Sequence, residues 1–126
     1  MLKKVLIVDD EVHIRMLLEQ TLEDLMDGSL QICFAQDGLE AWDTVRDWKP
    51  HLIFLDVILP HLNGLELCER IKNHPELHSI YVVILTSKGQ ELDRQKGVEV
   101  GADRFITKPF DPDQILRISK ELLVLE

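Results

Sequence analysis

Apolar runs that suit β-strands alternate along the whole chain with segments of helical spacing, and this alternation constrains the fold most. The runs are rich in Val, Ile, Leu and Phe and cover residues 5–8, 30–35, 52–55, 80–85 and 104–107. Parallel strands cannot be joined by a tight turn, so a helix must carry the chain back across the sheet. The pattern therefore predicts a doubly wound, flavodoxin-like (βα)5 fold of the α/β class, with a five-stranded parallel sheet of order 2-1-3-4-5 and helices on both faces.

The segments between these runs repeat apolar residues about every four positions, as amphipathic helices do. The repeats are Ile14, Leu18, Leu22 and Leu25 in the first helix, a looser Leu39, Trp42 and Val45 followed by the basic Arg46 in the second, Leu65, Cys68 and Ile71 followed by the basic Lys72 in the third, and Ile115, Ile118 and Leu122 in the last. The fourth helix, predicted over 89–100, has the weakest pattern, because Gly97 interrupts it and its apolar face is thin.

Length and composition indicate one domain over residues 1–126, since the chain is 45% hydrophobic and 29% charged. No apolar run approaches the roughly 18–20 residues that cross a bilayer. Lys3 and Lys4 resemble the start of a secretion signal, but the acidic residues at 9–11 end the apolar stretch too early. We therefore expect a cytoplasmic protein without a membrane contact.

The net charge and the spacing of the cysteines and histidines argue against several classes of function. A formal net charge of −9 argues against direct nucleic-acid binding and weakly favours a divalent cation site. Cys33 and Cys68 lack the spacing of a zinc site or a disulfide framework, so we expect two reduced thiols in or near the core. The histidines show no metal-ligand spacing and are expected on the surface or in loops: His13, His51, His61, His74 and His78.

Carboxylates follow two of the predicted strands, at the end where ligands bind in open α/β sheets. Asp9, Asp10 and Glu11 come after the first strand, and Asp56 ends the third. Like charges that meet at one edge raise one another's pKa values unless a cation lies among them. Oxygen-only ligands indicate Mg²⁺, or another hard divalent ion such as Mn²⁺. A helix cap would explain Asp9 or Asp10 taken singly, but not the convergent set.

A hydroxyl and an ammonium follow the remaining two strands of interest, Thr86 on the fourth and Lys108 on the fifth. Beside carboxylates and a cation, these groups suit phosphoryl transfer, in which charge on the phosphoryl oxygens is neutralised while a carboxylate attacks in line. Aspartate is a known nucleophile for this chemistry and gives an acyl phosphate. Taken alone, Thr86 also fits a strand-ending β-former and Lys108 a surface lysine. A cis peptide bond before Pro109 stays open.

Four motifs in order give a specific resemblance. They are the strand and acidic pocket at 5–11, the strand and loop at 54–60 with Asn63 and Gly64, the strand at 84–87, and the strand and lysine at 101–110. Across nearly its whole length the chain resembles the receiver domain of bacterial response regulators, the phosphoacceptor part of two-component systems, and the chemotaxis regulators among them. Each motif is weak by itself, but the set with this spacing is specific.

The resemblance implies roles for the acidic residues. Asp56 would be the phosphoacceptor in a Mg²⁺-dependent reaction. Asp10 would bind the metal directly and Asp9 largely through water, with Asp56 and the backbone carbonyl of Ile58 as further ligands. No other cofactor is implied.

The resemblance also implies a switch. Thr86 and Lys108 would hold the phosphoryl oxygens, and Phe105 would turn inward as Thr86 moves, although an ordinary core aromatic on an edge strand explains Phe105 equally well. The surface of the fourth helix, fifth strand and fifth helix would then change. Such a domain is a signalling module rather than an enzyme. Since Ile58 and Lys88 offer no group to orient water, we expect slow self-hydrolysis of the phospho-form.

The implied partners are a histidine kinase or a histidine phosphotransfer protein as donor, and an unidentified output domain or target. A phosphorylation-dependent homodimer through the switching face stays open, as does excision from a longer regulator or kinase. A haloacid-dehalogenase-type phosphatase is the main rival, but it requires a second aspartate where Ile58 stands. A flavin or nucleotide module would require a glycine-rich loop after the first strand. A degenerate receiver that only docks is the third alternative.

Overall fold

The computed structural model describes residues 3–26, 28–87 and 91–123 and contains one five-stranded parallel sheet. Its strands are β1 (Lys3–Val8), β2 (Leu30–Ala35), β3 (Leu52–Asp56), β4 (Tyr81–Ser87) and β5 (Arg104–Lys108). Their spatial order is β2-β1-β3-β4-β5, with every neighbouring pair parallel. The fold predicted from the alternation of apolar runs is therefore confirmed.

Five helices connect or follow these strands. They are α1 (Val12–Met26), α2 (Gly38–Trp48), α3 (Gly64–Lys72), α4 (Glu91–Glu99) and α5 (Pro112–Leu123). The predicted fourth helix began at residue 89, and its first two positions lie outside the described residues. None of the described helices is long and apolar enough to cross a bilayer.

Alternate residues of the strands enter two apolar layers, one on each face of the sheet. The layer covered by α2 and α3 contains Leu6, Ile53 and Ile84, whereas the layer covered by α1 and α5 contains Ile7 and Phe54. All five residues of β3 are buried, as expected of a central strand covered on both sides. Each fully buried aliphatic side chain contributes about 1.5–3 kcal/mol, so these layers hold the strand ends in fixed positions.

Helix α2 buries small residues as well as part of its predicted repeat. Gly38, Ala41 and Val45 are buried, whereas Leu39 is 51% exposed. A Cβ at position 38 would overlap the backbone of Leu62, so the glycine permits a close approach to the loop before α3.

The described side chains of helix α4 have little apolar contact with the rest of the domain. Among its described side chains, at 94–99, Gly97 is buried and the others are exposed. The described part of the helix agrees with the thin apolar face predicted from the sequence. We expect α4 to be the helix that moves most easily, because few buried contacts oppose its displacement.

The remaining expectations about side chains agree with the structure. Cys33 is half-buried on β2 and Cys68 is buried on α3, and both are free thiols. Trp42, a member of the predicted repeat of the second helix, packs against the apolar layer beneath α2, as does Trp48. The histidines are exposed or lie in loops and turns: His13, His51, His61, His74 and His78.

Candidate functional site

The polar residues predicted from the strand ends lie together at the carboxyl edge of the sheet. Asp9 and Asp10 follow β1, Asp56 is the last residue of β3, Thr86 is the sixth residue of β4, and Lys108 ends β5. Because β1, β3, β4 and β5 are successive neighbours in one parallel sheet, their ends converge.

Three of these residues form an acidic cluster. One carboxylate oxygen from each of Asp9, Asp10 and Asp56 lies within 4.8 Å of the other two. Asp9 is fully buried and Asp56 is 8% exposed, whereas Asp10 is exposed to solvent. Oxygen donors at this separation, with one side open, fit a hard divalent cation that keeps some of its water.

Lys108 joins this cluster from β5. Its Nζ lies 3.0 Å from Asp9 Oδ2, 3.4 Å from Asp56 Oδ2 and 3.9 Å from Glu11 Oε1. Burial alone lowers the pKa of Lys108, but the hydrogen bond to Asp9 and the charge of Asp56 outweigh burial and raise it. The side chain is therefore an ammonium that offsets part of the acidic charge.

The negative charge of the Asp56 carboxylate is only partly compensated by the donors around it. Burial, together with the negative charge of Asp9, raises its pKa from 3.8 to about 6. The Lys108 ammonium and the backbone N–H of Ile58, 3.4 Å from Asp56 Oδ1, act in the opposite direction. A second positive charge at this edge would favour the ionised, nucleophilic form of Asp56.

Thr86 brings a hydroxyl group to the same edge. It is 3% exposed and follows Leu85, which pairs with Asp56 across the sheet. On its other side Thr86 pairs with Thr107 of β5. A buried hydroxyl at the same sheet edge as a carboxylate and an ammonium provides the kinds of groups that phosphoryl transfer uses.

Comparison with known proteins decides the family, because the profile of the response regulator receiver domain matches residues 5–120. The chain belongs to this family. PhoP, the alkaline phosphatase synthesis transcriptional regulatory protein of Bacillus subtilis, is 40% identical over 121 residues, which are 96% of this chain and 48% of PhoP. PilG of Pseudomonas aeruginosa is 35% identical over 113 residues, covering 90% of this chain and 82% of PilG.

Solved structures agree with the assignment. The receiver domain of NtrX from Brucella abortus has a TM-score of 0.82 at 35% identity, covering 97% of this chain and 99% of that domain. The chemotaxis regulator CheY4 of Vibrio cholerae has a TM-score of 0.85 at 28% identity, covering 97% and 99%. The chain spans about half the length of several curated relatives that it matches, PhoP among them. Receiver domains are signalling modules of two-component systems and are generally not classed as enzymes.

In this receiver domain, Phe105 lies half-buried on β5 beneath α4. A Cβ at Gly97 would lie 2.5 Å from Phe105 Cε1, so the glycine leaves room for the ring. The guanidinium carbon of Arg94 lies 5.3 Å from the ring centroid, and Arg94 also donates to Thr107 Oγ1 at 3.4 Å. Phe105 therefore links the edge strand to α4.

The loop after β3 shapes the open side of the receiver site. Ile58 is 64% exposed, although its backbone N–H points to Asp56. Gly64 N–H donates to the carbonyl of Val57 at 2.9 Å, and a Cβ at position 64 would overlap the carbonyl of Asp56. Asn63 caps α3 by accepting from Leu65 N–H at 2.7 Å. A glycine is thus required for this loop to pack against the end of β3.

The structure resolves one open question and adds one residue to the site. The Lys108–Pro109 peptide bond is cis. Arg15 of α1, which sequence reasoning did not select, donates from Nη1 to the carbonyl of Asp9 at 2.6 Å. Its position in a helical repeat carries no signal for such a contact, because the bond depends on how α1 leaves the sheet edge.

Proposed function

We propose that this receiver domain accepts a phosphoryl group on Asp56 and changes its α4–β5–α5 surface in response. The observation that carries the proposal is the convergence of Asp56 with Asp9, Asp10 and the Lys108 ammonium at one sheet edge. The donor would be the phosphohistidine of a histidine kinase or of a histidine phosphotransfer protein. The whole chain, 1–126, would act as a single receiver domain in the cytoplasm.

The chemistry follows from the charges at the site. An oxygen of Asp56 forms a bond to phosphorus, the phosphorus–nitrogen bond of the donor breaks, and its electron pair stays on the imidazole, which takes a proton. Asp9, Asp10, Asp56 and the backbone carbonyl of Ile58 would hold Mg²⁺ or Mn²⁺. When bound, that ion supplies positive charge that offsets the negative charge of the phosphoryl oxygens and of the carboxylates.

Lys108 and Thr86 would hold the transferred group. The Lys108 ammonium already lies 3.4 Å from Asp56 Oδ2 and would move its hydrogen bond from Asp9 to a phosphoryl oxygen. The Thr86 hydroxyl would donate to another of those oxygens. Phosphorylation adds a charge of about −1.5 to −2, and charge-assisted hydrogen bonds to it are stronger than neutral ones.

The expected response is a shift of α4 and of Phe105. Thr86 and Phe105 belong to neighbouring strands, since Thr86 pairs with Thr107 and Ile84 with Phe105. A movement of Thr86 towards Asp56 would change the packing beneath α4, whose apolar contact is thin. We expect amide exchange in α4 to differ between the free and the phosphorylated domain, and equal protection would count against this response.

We also propose that the phospho-form decays slowly. Ile58 lies at the mouth of the site with 64% of its surface exposed and carries no group that could orient a water molecule. Lys88, the second residue relevant to decay, lies outside the described residues. Ile58→Asn should shorten the lifetime of the phospho-form, whereas an unchanged lifetime would remove the assigned role of Ile58.

The test of the proposed function is intact-mass analysis after incubation with acetyl phosphate and Mg²⁺. The parent chain should gain one phosphoryl group, and a chelator should abolish the gain. Asp56→Asn should stay unmodified, whereas Asp103→Asn, a matched change away from the site, should be modified like the parent. Modification of Asp56→Asn to the same extent would refute the assignment of Asp56. If the parent chain gains no phosphoryl group and also fails to bind beryllium fluoride with Mg²⁺, the site is a docking remnant.

The output of the domain is proposed from its relatives. Several of them are transcriptional regulatory proteins about twice as long as this chain, which suggests that a separate output domain or target protein responds to the switch. The net charge of −9 argues against nucleic-acid binding by the receiver itself. A homodimer formed through the α4–β5–α5 surface on phosphorylation is testable by light scattering with and without beryllium fluoride.

A further inference from the structure

Arg15 occupies an unfavourable place for a cation unless it has a specific task there. It lies in the first turn of α1, where the helix dipole opposes positive charge, and that turn contains no acidic residue. Its side chain extends back past the start of the helix, and Nη1 donates to the carbonyl of Asp9 at 2.6 Å. This hydrogen bond, rather than the electrostatics of the helix, explains the position of the guanidinium.

The carbonyl that Arg15 binds belongs to the peptide group between Asp9 and Asp10. The plane of this group sets the direction in which both carboxylates leave the backbone. Asp9 has further restraints, because its Oδ1 accepts from Glu11 N–H at 2.9 Å and its Oδ2 accepts from Lys108 Nζ at 3.0 Å. Its position therefore does not depend on Arg15 alone.

Asp10 has no comparable side-chain restraint. Its carboxylate is exposed and makes no hydrogen bond or ion pair with the part of the chain that the structure describes. It nevertheless lies within 4.8 Å of the Asp9 and Asp56 carboxylates. The backbone must therefore hold Asp10 against its two like-charged neighbours, and Arg15 contacts that backbone directly.

We propose that Arg15 is a positioning residue, which fixes the Asp9–Asp10 peptide so that the Asp10 carboxylate is in place before the divalent cation binds. The inference rests on the proposed function, because it concerns the metal site of that reaction. Arg15 does not touch the cation; it acts through the backbone of its ligands. Removal of a group that orients metal ligands commonly weakens metal binding, because part of the binding free energy must then be used to order the ligands.

A simple charge effect predicts the opposite result, which makes the inference testable by sign. Removal of a positive charge beside three carboxylates strengthens the attraction for Mg²⁺ by Coulomb's law. Loss of a fixed Asp10 weakens binding. A lower affinity in a variant without the guanidinium therefore cannot arise from its charge.

The experiment measures binding of Mg²⁺ alone by isothermal titration calorimetry, with Mn²⁺ binding followed by electron paramagnetic resonance. Arg15→Met keeps the length of the side chain without its donors, and we expect about ten-fold weaker binding. Arg15→Lys keeps a donor, and we expect affinity within about three-fold of the parent chain. Arg46→Met, at an exposed position of α2, removes the same charge elsewhere and should leave the affinity unchanged. Melting in chelator reports any general loss of stability.

The outcomes separate this inference from the proposed function. If the parent chain binds no Mg²⁺, the proposed function fails at its metal site. If the parent binds Mg²⁺ and folded Arg15→Met binds equally or more tightly, Arg15 does not position Asp10 and the inference is overturned. If Arg15→Met does not fold, Arg15→Lys decides, because an affinity more than about three-fold above that of the parent chain contradicts the inference.

Discussion

The carboxyl group of Asp56 is buried beside a second carboxylate, and both of these surroundings oppose its ionisation. Burial and the charge of Asp9 raise its pKa from 3.8 to about 6, although Lys108 opposes the shift. A raised pKa in the folded state means that folding favours the protonated form. The associated stability is therefore fully present below about pH 4 and is lost as the pH rises through about 6.

The size of this effect can be worked from the shift. A rise of about 2 in the pKa of Asp56 means that its ionisation destabilises the folded state by about 3 kcal/mol. The group lies at an edge open to solvent, and screening reduces the figure to about 1–2 kcal/mol. Asp56→Asn removes the charge and keeps the shape, while Asp9 still pairs with Lys108. We expect this variant to be more stable than the parent chain by about 1–2 kcal/mol, or about 5 °C in Tm, near pH 8 in chelator.

Urea unfolding followed by circular dichroism, near pH 8 and near pH 5, measures the difference. The stability advantage of Asp56→Asn should fall to about half near pH 5, where the folded parent chain is largely protonated at Asp56. Mg²⁺ should narrow the difference near pH 8, because it binds and stabilises the parent chain. If Asp56→Asn is no more stable than the parent near pH 8, or if its advantage does not depend on pH, the reasoning is wrong.

Asp103→Asn is the matched control, because its carboxylate has the opposite surroundings. Asp103 Oδ2 accepts from Lys72 Nζ and from the backbone N–H of Val82, both at 2.8 Å. Loss of the charge weakens both hydrogen bonds, so this variant should be less stable than the parent by about 1–2 kcal/mol. The same substitution should thus have opposite signs at the two aspartates.

Three further predictions follow from packing and burial. Gly97→Ala should destabilise the domain by about 1–3 kcal/mol in urea unfolding, because its Cβ would overlap Phe105. In a Phe105→Ala background the same change should stabilise the domain, since only helix propensity then acts, and a double-mutant cycle without this reversal would refute the contact. Gly64→Ala should lower the free energy of unfolding by about 2–3 kcal/mol, since its methyl group would overlap the backbone of β3 at Asp56, and an unchanged Tm would contradict this. Burial raises the pKa of Cys68 to about 12, so a thiol reagent should modify Cys33 first, and a Cys33→Ser variant that reacts as fast as the parent chain would disprove that order.

Much of the fold was predictable, because the apolar pattern of each segment reflects which of its faces is buried. The alternation of strands and helices, the strand order and the edge that carries Asp9, Asp56 and Lys108 all follow from local periodicity and the handedness of crossovers. The weak helical pattern of α4 could also be predicted from the sequence, because Gly97 and a thin apolar face are properties of the segment itself. The same reasoning could not separate Leu39 from the buried residues of α2, since the loop that α2 approaches is distant in sequence.

The sequence by itself determined the type of fold and the kinds of groups that meet at one edge, because periodicity and strand ends are written locally. The tertiary structure decided their environment: that Asp56 is buried beside Asp9, that Lys108 is shared between them, and that Arg15 binds the backbone between Asp9 and Asp10. Electrostatic energies vary with separations of a few ångströms and with burial, and both arise only when distant segments pack together.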